Sequence, residues 1–389
     1  MSLQNNTLGL NIPSIPELPE DPNQSENSFK DCDHPFINIL GNDGSGKETL
    51  RQRLSLDYKV HFDEALFAGK EVTILLIDAL KGITRESRKY SFLASLVKIQ
   101  NLVIAINKID LVDFPETVFN TIQSEFEEIA IKLNIKNLRY IPISAKYSEN
   151  LINNSLNISW YKDKTLLNLI KELPVNKDNY LIAPRFPVKD VNEKTNGGGS
   201  AYKGISGQVS GGEFKAGDVV LALPSNKLST IKAIFNGPSS IAVALTLQTV
   251  TFQLDGFTDL KQGDMLVRIN KNYPKYSSSI SLHVHWLDEK PLEIGDKFKI
   301  QHTTDETDAT ITDIRYKVNF DNLESDYNAR DILVNDIAHI TIKTSKPLKY
   351  DDYGDNRITG SLKLIDVKTL EIAGEGMIVS DEEIFSYNI

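Results

Sequence analysis

The chain carries one cysteine in 389 residues, Cys32, so an intramolecular disulfide cannot form and a cysteine-built metal site is not expected. No apolar run approaches 18 residues, which excludes a membrane-spanning helix. The N-terminus lacks the basic-then-apolar pattern of a secretory signal, so the cytoplasm is the expected compartment. Positive charge is scarce as well. Lys and Arg number 43 against 53 Asp and Glu, a net charge of −10 that argues against a broad nucleic-acid surface. A third metal ligand is lacking near His283 and His285, whose alternate spacing fits an ordinary strand. Asp305–Ala309 and Asp381–Glu383 read as solvated acidic segments, and Lys346, Lys349, Arg357 and Lys363 as scattered surface charge.

What is present describes a globular protein of two to three domains, with 40% hydrophobic and 25% charged residues. Residues 1–34 are rich in Pro, Asn, Ser and Glu and read as a disordered leader. Alternating strand and helix patterns then run from 35 to about 176. Thr73–Asp78, Leu102–Ile106 and the weaker Arg139–Ile143 are short apolar runs of the kind buried parallel strands require. Arg85–Ile99 and Glu116–Leu133 carry apolar residues at helical spacing. An open α/β sheet follows, with ligands expected at the strand C-termini.

At the first of these ends lies Phe36–Leu50, FINILGNDGSGKETL. A strand, a glycine-rich turn and a helix N-terminus form a phosphate cradle. Glycines let backbone N–H groups converge on an anion, the helix end adds partial positive charge, and a lysine reaches the outer phosphates. Gly41, Gly46 and Lys47 meet the spacing, and Asn42, Asp43, Gly44 and Ser45 line the turn between them. The next residue should be Ser or Thr, whose hydroxyl ligates Mg²⁺; it is Glu48, with Thr49 one place late. Glu48 is therefore the only candidate metal ligand, and Mg²⁺ itself is in doubt.

Two further motifs sit at later strand ends. In Asn107-Lys108-Ile109-Asp110, the Asp110 carboxylate can accept hydrogen bonds from the N1–H and 2-amino group of guanine, which adenine does not offer. The Asn107 amide braces the neighbouring loop, and the Lys108 stem can lie over the ring. In Ser144-Ala145-Lys146 a backbone N–H can meet the guanine O6. Each motif alone is weak, but all three occur in order at predicted strand ends.

The segment that should carry a nucleotide switch is short. Completing the phosphate-loop helix, adding two strands, a helix and their loops takes about 40 residues or more. Only the 22 residues Leu50–Glu71 separate Thr49 from Val72, without an Asp-x-x-Gly among them. The Phe36 strand is thus expected to face an unfilled sheet position, with Tyr58, Val60 and Phe62 a candidate substitute strand.

Beyond about Pro174 helical patterns stop. Short β runs are punctuated by Lys215-Ala-Gly217-Asp218, Lys261-Gln-Gly263-Asp264 and Glu293-Ile-Gly295-Asp296. These predict two small β-barrels, over 180–273 and 277–379, with a boundary near Asn270–Ser278, a flexible Asn196–Ser200 loop and an acidic tail at 380–389.

From Pro35 to Ile378 the chain resembles the elongation-factor-Tu-like GTPases, and among them the GTP-binding large subunits of bacterial sulfate adenylyltransferase. The resemblance is carried by Ile74–Ala79 with Lys81-Gly82, Val103–Asp113, Trp160-Tyr161 before Thr165–Leu167, Arg315-Tyr316, Asn356–Gly360 before Leu362–Asp366, and Gly374–Ile378. It implies a shortened P-loop GTPase domain followed by two β-barrels. It also implies GTP or GDP as cofactor, and a heterodimer with a catalytic small subunit that transfers adenylyl from ATP to sulfate. The missing switches imply that the chain's own hydrolysis is impaired. A translation-factor-like GTPase and a pseudo-GTPase scaffold that binds only a protein partner remain as alternatives. No Pro-Gly-His pattern of the family is present between Thr49 and Val72.

Overall fold

The computed structural model describes residues 37–57, 72–96, 99, 101–173, 182–195, 201–256, 259–269 and 272–379. The proposed leader, Cys32, the Tyr58–Phe62 strand, the 196–200 loop and the 380–389 tail lie outside them. The described chain divides into two compact units. One comprises 37–173 with 319–324, and the other 182–318 with 325–379.

The first unit is a parallel sheet. Strands β1 (Ile37–Gly41), β2 (Val72–Asp78), β3 (Leu102–Asn107) and β4 (Leu138–Pro142) lie in that order, with Gly41 opposite Leu76 and Asp78 opposite Asn107. β1, β2 and β3 are buried throughout because both faces are covered. On one face Leu50 and Leu54 of helix α1 (Lys47–Asp57) pack with Ile39, Ile74 and Val103. Leu166, Leu169 and Ile170 of the short helix α4 (Leu166–Glu172) join them there. The opposite face takes Ala94 of α2 (Arg85–Leu96) and Phe119, Ile122 and Phe126 of α3 (Pro115–Lys132).

Helix α2 starts where side chains satisfy its first N–H groups. Thr84 Oγ1 accepts from Ser87 N at 3.2 Å and Ser87 Oγ from Thr84 N at 3.3 Å, a reciprocal cap for α2. Proline opens α3, where its missing N–H costs nothing. The strand expected to begin at Arg139 begins one residue earlier, and α2 ends before the expected Ile99, whose N–H closes a wide turn onto Ala94 O.

Among the described residues β1 pairs only with β2, so the phosphate-loop strand stands at an edge. The steps β1–α1–β2, β2–α2–β3 and β3–α3–β4 all cross the sheet in one direction. Yet α1 lies on the face opposite α2 and α3, so the first step has the opposite hand. Crossovers between parallel strands are almost always right-handed.

Loop 319–324 completes this unit. Phe320 is buried against Phe92 with ring centroids 6.2 Å apart, and the Lys132 ammonium donates to Asn322 O at 2.7 Å.

The second unit holds two six-stranded antiparallel barrels, each with one short extra strand at the edge. The first closes by pairing of Val219–Leu223 with Lys227–Asn236, and the second by pairing of Lys297–His302 with Asp305–Asn319. The first strand of the second barrel is Lys275–Trp286. Phe186 and Phe252 stack at 4.1 Å in the first core, and Trp286 meets Phe298 edge-on in the second. The barrels are joined by a buried fork. Arg185 donates from Nε and Nη2 to the two carboxylate oxygens of Asp351 at 3.1 and 2.8 Å, and Thr359 Oγ1 also donates to Asp351.

The Gly-Asp punctuation proves to be one turn used repeatedly. In Lys215–Asp218, Lys261–Asp264 and Glu293–Asp296 the glycine has φ near +90°, and the aspartate carboxylate accepts from the N–H of the first residue. Leu333–Asp336 is a fourth copy in which Asn335, at φ 69°, stands for glycine.

His283 is buried on the side of its strand away from the second barrel's core, where its Nε2 meets Tyr316 Oη at 2.8 Å and its ring lies edge-on to His339. Among the described residues no group of three or more His, Cys, Asp or Glu is arranged to hold a metal.

Candidate nucleotide site

Because the four strands are parallel, the ends of β1, β3 and β4 open onto the same edge of the sheet. Helices leave that edge towards opposite faces after β1 and β2, the arrangement at which open α/β sheets take ligands.

The loop after β1 is shaped by its glycines. Gly44 and Gly46 have φ of 74° and 98°, and a Cβ on Gly46 would sit 2.5 Å from Asn107 Nδ2. Leu50 N donates to Gly46 O at 2.9 Å, so α1 begins directly behind the turn. Ser45 is buried, and neither its Oγ nor Asn42 Oδ1 has a hydrogen-bond partner among the described residues. A buried polar atom without a partner costs stability, and such atoms mark places where a ligand completes the bonding. Asn42 Nδ2 donates to Thr84 Oγ1 at 2.5 Å, tying the loop to the start of α2. Lys47 is mostly buried, with its ammonium 3.9 Å from the exposed Asp43 carboxylate.

Asn107 joins all three motifs. Its Nδ2 donates to Ser45 O at 2.7 Å, and its Oδ1 accepts from Ala145 N at 2.9 Å. The side chain is 3% exposed, so both bonds are shielded from water. Lys108 holds a left-handed backbone, φ 63°, and its ammonium is 2.6 Å from Asp78 Oδ2. That ion pair fixes the direction of the Lys108 stem. Asp78 is buried and also accepts from Leu80 N at 3.0 Å. Asp110, two residues on, is exposed and has no ion pair among the described residues.

The third loop is more specific than the sequence suggested. Of its three N–H groups, Ser144 donates to Glu149 O and Ala145 to Asn107 Oδ1. Only that of Lys146 lacks a partner among the described residues, so it, rather than that of Ala145, is left for a base. The Lys146 ammonium lies 4.8 Å from the Tyr147 ring centre, and its pKa is raised by the Tyr147 hydroxyl and further by Asp110. Arg53 of α1 donates to Lys146 O at 3.1 Å, a second brace between the first and third loops.

These features fit a nucleotide: a loop a Cβ would fill, a buried hydroxyl without a partner and an exposed carboxylate beside a free N–H. They do not fit a metal held by protein. Glu48 and Thr49 are both exposed, and among the described residues no group of three or more His, Cys, Asp or Glu includes Glu48. Several residues that matter here carried no motif signal, namely Asp78, Arg53 and Thr84. An acid at a strand end was the one available hint, for Asp78.

Comparison with known proteins bears on the whole arrangement. Residues 57–175 match the family model described as elongation factor Tu GTP binding domain, a match that starts beyond the phosphate loop. Residues 279–379 match GTP-eEF1A C-terminal domain-like. The chain is 33% identical over 314 residues to sulfate adenylyltransferase subunit 1 of Aliarcobacter butzleri (strain RM4018), covering 80% of this chain and 66% of the relative. It is 34% identical over 318 residues to the protein of the same name from Bacteroides fragilis (strain YCH46), covering 82% and 66%. The chain thus spans just under two thirds of the length of these relatives. A crystal structure of sup35 complexed with GDP aligns at a TM-score of 0.47 and 17% identity, over 89% of this chain and 94% of that one, too distant to carry an argument. On the two matched domains and these relatives, the chain belongs to the elongation-factor-Tu-like GTPase family, in the group whose curated members are named sulfate adenylyltransferase subunit 1.

Proposed function

We propose that the chain is the guanine-nucleotide-binding subunit of a sulfate adenylyltransferase. Gly41, Asn42, Asp43, Gly44, Ser45, Gly46 and Lys47 hold the phosphates, with Glu48 and Thr49 in the first turn of the helix behind them. Asp110 and the Lys146 N–H read the base, Lys108 lies along it, and Asn107, Ser144 and Ala145 fix the loops. A separate catalytic subunit transfers adenylyl from ATP to sulfate and releases diphosphate. The carrying observation is the Asn107 amide, which spans the phosphate loop and the base loop with two buried hydrogen bonds.

The chain's own GTP hydrolysis is impaired in this reading. Support comes from the short Leu50–Glu71 connection, the absence of an Asp-x-x-Gly within it and the exposed Glu48 in place of a hydroxyl. The nucleotide part is residues 35–176, and the two barrels are 180–273 and 277–379.

Calorimetric titration of GTP and GDP, with and without Mg²⁺ and with ATP as control, tests the reading. Micromolar binding of both guanine nucleotides, independent of Mg²⁺ and absent for ATP, is expected. No heat from a folded sample refutes the nucleotide site and leaves a nucleotide-free scaffold. Co-purification with an adenylyltransferase small subunit, rather than salt-sensitive binding to RNA, separates this role from that of a translation factor.

A further inference from the structure

At the base end of the nucleotide site stands a cation without an acidic partner. The Lys146 ammonium lies on the ring of Tyr147, 4.8 Å from its centre, and makes no ion pair among the described residues. The one acid of its loop, Glu149, accepts instead from Ser155 Oγ at 3.1 Å and Asn157 Nδ2 at 2.5 Å. An aromatic face holds an ammonium without cancelling its charge, so the cation stays available. Tyr147 itself is 59% exposed.

The loop that carries both side chains is fixed before anything binds. Ser144 and Glu149 exchange their backbone hydrogen bonds at 3.3 and 3.0 Å and close the segment between them. Tyr147 N donates to Ser144 Oγ at 3.4 Å, and Arg53 holds the Lys146 carbonyl. Two bonds dock this loop against the one that carries Asp110, from Ala145 N to Asn107 Oδ1 and from Ile109 N to Ile143 O at 3.3 Å. Asp110 follows Ile109 as Lys146 follows Ala145, so carboxylate and ammonium stand on adjoining loops. The Tyr147 hydroxyl first, and Asp110 second, favour the charged form of Lys146.

Guanine presents two unlike groups side by side, the N1–H donor and the O6 acceptor. With N1–H and the 2-amino group on Asp110, O6 falls to the loop of Lys146. We infer that the Lys146 ammonium, held in place by the Tyr147 ring, donates to O6 beside the backbone N–H of the same residue and makes the site selective for 6-oxopurines. Lysine is a natural partner of this oxygen, and a charged donor makes the stronger bond. Adenine brings a donor, its 6-amino group, to the same place and meets like polarity. Lys146 thus touches the ligand, and Tyr147 is a positioning residue. The inference rests on the nucleotide reading and names a group that enforces its choice of base.

Calorimetry on the full chain with GDP, inosine diphosphate and 6-thioguanosine diphosphate tests it. Lys146→Met should weaken GDP and inosine diphosphate alike, by about tenfold, since both keep O6. The 6-thio ligand should lose less, because sulfur is a poor acceptor. Lys146→Arg should restore most of the GDP affinity. Tyr147→Leu should also weaken GDP, yet add nothing in the Lys146→Met background. Equal losses for GDP and the 6-thio ligand would overturn the inference. So would a Tyr147→Leu loss that persists in the Lys146→Met background, by showing that the ring stacks on the base itself. GDP binding that Lys146→Met leaves unchanged overturns it and spares the nucleotide site, whereas a folded parent that binds no GDP refutes both.

Discussion

The contact between Gly46 and Asn107 makes a quantitative prediction. Replacing Gly46 by Ala places a Cβ 2.5 Å from Asn107 Nδ2, in a backbone conformation, φ 98°, that L residues avoid. The amide has to move, and its bonds to Ser45 O and Ala145 N are lost. Two buried groups left without partners cost about 1–3 kcal/mol each, and the backbone strain adds about 1–2 kcal/mol. Gly46→Ala should therefore destabilise the α/β unit by about 3–8 kcal/mol. Asn107→Ala removes the same two bonds and should cost about 2–6 kcal/mol. In the double variant the clash is gone and the bonds are lost only once. Its cost should match that of Gly46→Ala alone, a coupling equal to the Asn107→Ala cost, about 2–6 kcal/mol. Denaturant unfolding reads this through Trp160, whose indole lies 5.4 Å from Phe119 within the α/β unit. If the two costs add to within about 0.5 kcal/mol, the Asn107 amide is not what confines Gly46, and the proposed brace between phosphate loop and base loop fails.

Asp110→Asn should exchange guanine for xanthine nucleotides in calorimetry, because an amide N–H meets the 2-oxo group of xanthine where the carboxylate met the 2-amino group; unchanged GTP affinity would remove Asp110 from the base site. Burial, with His339 adding to it, pushes the His283 pKa down to about 3. The unfolded imidazole takes up a proton below about pH 6.5 while the folded one does not, so this stability is complete above 6.5 and falls with pH towards 3, by about 1.4 kcal/mol per unit. His302 shifts in the same direction, again chiefly through burial. Urea midpoints of the barrel unit that stay level from pH 7 to 5 would contradict this. Asp351→Ala should cost about 3–5 kcal/mol in urea unfolding, since it leaves the Arg185 guanidinium, 1% exposed, as a buried charge without its partner. A loss below about 1 kcal/mol would show that solvent reaches the fork.

The α/β pattern was legible because each element announced itself locally. Leu102–Ile106 is too short and too apolar for anything but a buried strand, and Glu116–Leu133 shows one apolar helical face. The three motifs were legible for the same reason, each being a short run at a strand end. What joins them was not. Asn107 and Ser45 are 62 residues apart, Lys108 and Asp78 are 30 apart, and single-chain periodicity carries no information about such pairs. A backbone N–H of Ser144-Ala145-Lys146 was expected to face the base, and no local pattern shows that Asn107 takes that of Ala145. The fourth Asp-closed turn escaped notice because asparagine replaces glycine at Asn335, a substitution the left-handed backbone tolerates. The reversed hand of the β1–α1–β2 step follows only once α1 has a face.

The loop at 319–324 makes the nucleotide unit discontinuous in the gene as well as in the chain. A fragment ending at Asn176 would contain every motif residue and still lack Phe320, whose ring covers Phe92, and the carbonyl that receives Lys132. Six residues encoded some 140 codons downstream complete its surface. Any shuffling of this domain into another protein therefore has to carry both segments or fill the space left by Phe320, and complementation by a short peptide spanning 319–324 becomes a natural assay for the fragment's integrity.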